Sequence, residues 1–236
     1  QLGAPAAMSK ERFTEDGTWA SGAPDRISET NVQVVGIDEP DIVKTDGKKI
    51  YFSGQQQFYP LMREEMWSDI SPPVHEEIMP NYQPQEKTNI ISAFPPADLK
   101  IESEIDKQGD LLLDKNNLIV FSKFGQEIIG YDVSDSKSPE KKWTVKLDKN
   151  TSVVTSRLRG GKIYLITKNI INSSRPCPFE PLLKDGTALN IQCADIHHPV
   201  APTLVDSTFT AMILDPSTGE IEKSVSFVGS SGFSII

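Results

Sequence analysis

From residue 41 onward the chain alternates short apolar stretches of four to eight residues with tight polar turns, and the pattern repeats. Strands are expected over 41–45, 49–53, 89–93 and 99–104, with turns at Asp46-Gly47 and 95–98. A second set follows over 110–113, 118–122, 127–133 and 141–147, with turns at Asn116-Asn117 and 134–138. A third runs over 152–158, 162–167, 209–214 and 220–227, with turns at Gly160-Gly161 and 215–219. Alternation supports these strands, since Ile128, Gly130 and Asp132 fall on one side and Ile129, Tyr131 and Val133 on the other. Leu118-Ile119-Val120-Phe121 and Ile163-Tyr164-Leu165-Ile166 are apolar on both sides, the signature of inner strands covered on two faces.

Each set is a four-stranded antiparallel meander, the unit from which a propeller blade is built. The turn dipeptides at 47, 117 and 161 lie 70 and 44 residues apart. The shorter interval matches a blade repeat of about 40–50 residues, and the longer one is a repeat plus an insertion. The expected fold is therefore all-β, a β-propeller with about three blades in this chain, over 41–104, 110–147 and 152–227. Residues 233–236 read as the first strand of a fourth blade, and 1–30 as a polar, turn-rich tail or linker. Three blades do not close a ring, so 31–236 are expected to be the N-terminal part of a propeller in a longer protein, with a strand over 32–35 pairing into its last blade.

The opening of the first unit, N-V-Q-V-V-G-I-D-E-P-D-I-V-K-T-D-G, resembles the signature of a prokaryotic family of secreted proteins with a β-propeller domain, N-V-Q-V-E-G-V-D-E-A-D-I-V-K-T-D-G. It departs at Val35 and Pro40 and keeps Asp38, Glu39, Asp41, Lys44, Asp46 and Gly47 in register. Asp132-Val133-Ser134-Asp135 with Pro139, Thr155-Ser156-Arg157-Leu158 with Ile163 to Thr167, and the later F-T and G-S-S-G elements extend the resemblance over most of 31–236. It implies a propeller in an extracellular or cell-envelope protein. It implies no chemistry, because that family is defined by its fold.

The remaining composition narrows the partners. Of 236 residues, 37% are hydrophobic and 8% aromatic, with 17 Pro and 15 Gly, as an all-β globular chain requires. Net charge is −9, which disfavours nucleic acid and anionic membranes, since both attract basic surfaces. No run reaches the ~18 apolar residues of a membrane span. Two sequons, Asn150-Thr151-Ser152 and Asn172-Ser173-Ser174, are compatible with secretion.

Candidate chemistry gathers in three places. The insertions 55–88 and 168–207 and the acidic turn 36–41 are expected on one face, near the mouth of the central channel, where repeat scaffolds place function. The second insertion holds Cys177, Cys193, His197 and His198. Its five prolines argue against regular structure, and a Cys177–Cys193 disulfide would tie it down. A zinc site from the same four residues is the alternative, although the spacing lacks a preorganising C-x-x-C or H-x3-H pair. Asp38, Glu39 and Asp41 offer oxygen ligands for calcium without the spacing of a dedicated loop, and solvated turn carboxylates or backbone caps are the other reading. The first insertion presents Trp67 and His75 among further aromatics, either packed back on the blade or exposed to a glycan, peptide or protein, and 61–70 reads as a short amphipathic helix.

No nucleophile elbow, phosphate loop or H-E-x-x-H motif occurs. The sequence thus points to a non-catalytic binding or interaction module that needs no cofactor. A hydrolase or metal-dependent enzyme with its site at the channel mouth is the alternative.

Overall fold

The computed structural model describes residues 36–54, 87–122 and 126–230. The tail 1–30, the strand expected over 32–35, the helix over 61–70, Trp67, His75 and the final strand at 233–236 all lie outside them.

The first sheet is β1 (Val43–Thr45), β2 (Lys49–Phe52), β3 (Thr88–Ser92) and β4 (Lys100–Ile105), antiparallel and in chain order. Its first turn is set by two residues. Gly47 takes φ +86°, a conformation that costs glycine nothing, and Asp46 Oδ1 accepts the N–H groups of Lys48 and Lys49 at 2.8 and 2.7 Å. The second blade follows with β5 (Gly109–Asp114), β6 (Asn117–Ser122), β7 (Glu127–Asp132) and β8 (Glu140–Leu147). In the third, β9 (Thr151–Arg159) and β10 (Lys162–Ile170) precede the second insertion. That insertion forms β11 (Leu182–Lys184), β12 (Thr187–Ala188) and β13 (Ile196–His197) before β14 (Ser207–Leu214) and β15 (Ile221–Gly229) complete the blade. Among the described residues there is no α-helix.

The middle blade shows why its strands are apolar on both sides. Leu111, Leu118, Val120 and Ile129 pack toward the first blade with Tyr51, Ile90 and Ile105. Their immediate neighbours Leu112, Ile119, Phe121 and Ile128 pack toward the third with Leu158, Ile163, Leu165 and Met212. Successive side chains of a strand point to opposite faces, so one sheet serves two cores. Each fully buried Leu or Ile contributes about 1.5–3 kcal/mol relative to exposure.

The outer strands are joined by a single large side chain. Trp143 of β8 lies across Gly130 of β7, where a Cβ would meet the indole at 2.1 Å, and against Gly219, where it would meet it at 2.6 Å. Both positions therefore need glycine for the indole to fit.

Candidate functional site

Asp38 of the acidic segment does not sit beside the base of the second insertion. Asp38 exchanges both backbone hydrogen bonds with Leu158 of β9, at 2.8 and 2.9 Å, and Asp41 does so with Leu111 of β5, at 3.1 and 2.7 Å. A few residues thus stitch the first strands of the third and second blades together before entering the first strand of the first. Leu158 stands beside the Gly160-Gly161 turn, seven residues along β9 from Thr151, which pairs with Asn169 where β10 runs out into the second insertion. At ~3.3 Å per residue that is about 23 Å from the insertion's base. Asp38 therefore departs from the expected shared face, because the segment runs along the inner edge through two backbone bridges, whereas Pro40 lies beside Thr151 and Ser152.

Its side chains are engaged by cations. Lys44 is 4% exposed, and its Nζ donates to Asp38 Oδ1 at 2.7 Å and to the carbonyl of Glu39. Glu39 Oε1 is 3.2 Å from Arg157 Nε, while another guanidinium nitrogen donates to Thr155 Oγ1 at 2.8 Å and to the Ser156 carbonyl at 2.7 Å. Asp41 is exposed and accepts the Ile42 N–H at 2.6 Å. Calcium here would have to displace two ion pairs, and among the described residues no three His, Cys, Asp or Glu side chains are grouped to hold a metal.

Lys44 and Arg157 escaped the sequence reading as site residues. Lys44 carried a signal: a charged side chain on an inner strand must find a partner or stay out of the core.

The second insertion is more regular than its prolines predicted. Cys177 and Cys193 form a disulfide with their Cα atoms 5.3 Å apart, and Phe179 pairs with Ile191 inside that loop. β11 joins the outer edge of the second blade, with Leu182 opposite Leu147 and Lys184 opposite Val145. β13 runs parallel to β15 on the outer edge of the third. The prolines flank these short strands, and proline lacks a donor but keeps its carbonyl, which Pro181 offers to Asp148 N–H at 3.0 Å.

With both sulfurs oxidised, the four-residue zinc set has no thiolates to supply. His197 and His198 are exposed, and His198 Nδ1 lies 3.0 Å from the Pro199 carbonyl. β13 is four strands out from β9 in the sheet, about 19 Å at the usual strand spacing. The histidines and the acidic segment are therefore separate places, one at the rim and one at the centre.

The chain is similar to uncharacterised archaeal proteins. An uncharacterised protein of Archaeoglobus fulgidus is 43% identical over 213 residues, covering 90% of this chain and 31% of its own length. One from Methanocaldococcus jannaschii is 30% identical over 213 residues, covering 89% of this chain and 27% of its own. The chain thus spans less than a third of these relatives. No solved structure matches. The model of the β-propeller domain family matches residues 27–233, in keeping with the three blades, and the chain belongs to that family.

Proposed function

We propose that the chain acts as a non-catalytic binding module, extracellular or envelope-associated, that takes a protein, peptide or glycan. The observation that carries this reading is the second insertion. A disulfide and two strand pairings hold it on the outer edges of two blades, so its surface is shaped before any ligand arrives. On that surface Val200 and Leu204 are 103% and 94% exposed, beside His197 and His198. Exposed apolar side chains on a solvent-facing loop are what a recognition surface presents. Disulfides persist in oxidising compartments and also inside hyperthermophilic archaea, so the compartment rests on cell fractionation of the tagged protein.

Glycan and peptide arrays probed with the intact protein test the reading. Binding that Val200→Ser with Leu204→Ser abolishes at unchanged melting temperature supports it. A stoichiometric metal by elemental analysis, together with turnover of a glycosidic or ester substrate, favours a hydrolase instead.

A further inference from the structure

Asn150 and Asn172 head the chain's two N-x-S/T triplets, Asn150-Thr151-Ser152 and Asn172-Ser173-Ser174, and neither has proline at its middle position. Both are exposed and both line one cleft of about 790 Å³ between the β8–β9 turn and the second insertion. We infer that Asn172 carries an N-linked glycan and that Asn150, with the same motif in the same cleft, does not. The inference rests on the extracellular or envelope-associated reading and adds a covalent modification to the insertion on which that reading depends.

The backbone separates the two sites. A transferase reads the triplet at both ends, the amide that reacts and the hydroxyl two residues on, so the triplet has to leave the protein's own hydrogen bonds to enter it. Residues 172–174 can do so readily because their bonds are local. The Ser174 N–H donates to Asn172 Oδ1 at 3.0 Å, and the Arg175 N–H donates to the Asn172 carbonyl at 3.0 Å. Ser173 and Ser174 are exposed and belong to no strand. Opening this one turn leaves β10 and the Cys177–Cys193 disulfide as they are.

Asn150 is the opposite case. Thr151 and Ser152 belong to β9, where they pair with Asn169 and Lys168 of β10. Thr151 is 3% exposed, and its Oγ1 accepts from Asn169 Nδ2 at 2.9 Å. Freeing this triplet unzips the end of the β9–β10 pair and uncovers a buried threonine. Local opening is far more frequent in a solvent-facing turn than in a paired strand, so the folded protein offers Asn172 and withholds Asn150. At Asn172 the step displaces a lipid phosphate: Nδ2 forms a bond to the anomeric carbon of an oligosaccharide carried on a polyprenyl phosphate, and the anomeric C–O bond breaks. The phosphate leaves with the electron pair, and one amide proton passes to a base of the transferase.

Glycopeptide mass spectrometry of the intact protein, recovered by cell fractionation from its own host, tests this with wild type, Ser174→Ala, Ser174→Thr and Ser152→Ala. The expected result is a mass shift of whole saccharide units on the peptide that contains Asn172 and none on the peptide that contains Asn150. Ser174→Ala should remove the shift, Ser174→Thr should keep it, and Ser152→Ala should leave it unchanged. Modification of Asn150, alone or together with Asn172, overturns the inference, since the fold would then not choose between them. A shift that survives Ser174→Ala does not come from this triplet and overturns it as well. A bare Asn172 in protein recovered from the envelope or the medium overturns it and leaves the extracellular reading standing. A bare Asn172 in protein recovered from the cytosol overturns both.

Discussion

Trp143 of the second blade donates its indole N–H to the backbone carbonyl of Pro216 in the third, 3.0 Å away and buried. It latches the two blades beside the apolar core that they share. Trp143→Phe keeps most of the packing and strands the Pro216 carbonyl, at a cost of about 1–3 kcal/mol. Gly130→Ala leaves the hydrogen bond intact and pushes a methyl group into the indole, also about 1–3 kcal/mol. Each should lower the melting temperature, by roughly 2–4 °C per kcal/mol for a chain of this size. Thermal unfolding of the two variants checks it, and an unchanged midpoint in both argues against the latch.

The two ion pairs of the central segment should differ in weight. Lys44 is nearly buried, so Lys44→Met leaves the Asp38 carboxylate beside an apolar group and loses charged hydrogen bonds worth about 1.5–3 kcal/mol. Glu39 and Arg157 are 29% and 38% exposed at their side chains, and exposed pairs contribute about 0–1 kcal/mol. Denaturant unfolding should therefore rank Lys44→Met well below Glu39→Gln in stability. The reverse order would place the seam at Arg157 and not at Lys44.

Val120 is fully buried on the face toward the first blade, among Tyr51, Ile90 and Ile129. Val120→Asp places an unpaired carboxylate there, and the penalty of several kcal/mol is comparable with the whole stability of a domain, about 5–15 kcal/mol. The variant should be insoluble on expression. A soluble protein with the wild-type melting temperature contradicts this placement of β6.

What the sequence made legible follows from range. Leu118 to Phe121 could be read because a strand covered on both faces must itself be apolar, a property of adjacent residues. The Asp46-Gly47 turn was equally local. Glu39 and Arg157 are far apart in the chain and meet only because the segment before the first blade pairs with β9, which no local pattern encodes. β11 and β13 were missed because strands of three and two residues have little propensity of their own. They exist where the outer edges of β8 and β15 offer unpaired backbone groups.

Acid should weaken the turn that seats Trp143. The Ser217 hydroxyl and then the Lys162 ammonium hold the Asp215 carboxyl well below the usual carboxylate range, and the ammonium is shared with Glu222. A carboxyl depressed on folding contributes stability that is present above its unfolded value of about 3.9 and is lost as pH falls below it. Asp215→Asn lacks this contribution at every pH. Melting temperatures of wild type and Asp215→Asn should thus differ most at neutral pH and converge as the pH drops below about 3. Parallel curves over that interval would mean that Asp215 does not act through its charge.

Reducing the Cys177–Cys193 bridge separates the insertion's two anchors. A 16-residue separation corresponds to about 3 kcal/mol in the chain-entropy account, so the bridge is a large part of what orders the loop. The two ends are not equally dependent on it. Leu182 is buried in the core between the second and third blades and β11 is paired to β8, which holds that end without the sulfurs. The other end has only two residues of parallel pairing, at Ile196 and His197, before a stretch in which Val200 and Leu204 touch solvent. Hydrogen exchange followed by mass spectrometry, with and without reductant, should show 182–184 still protected and 193–198 exchanging faster. Equal acceleration at both ends would mean that the bridge, and not the blade edge, holds β11 in place. No change at either end would mean that the strand pairings alone fix the loop.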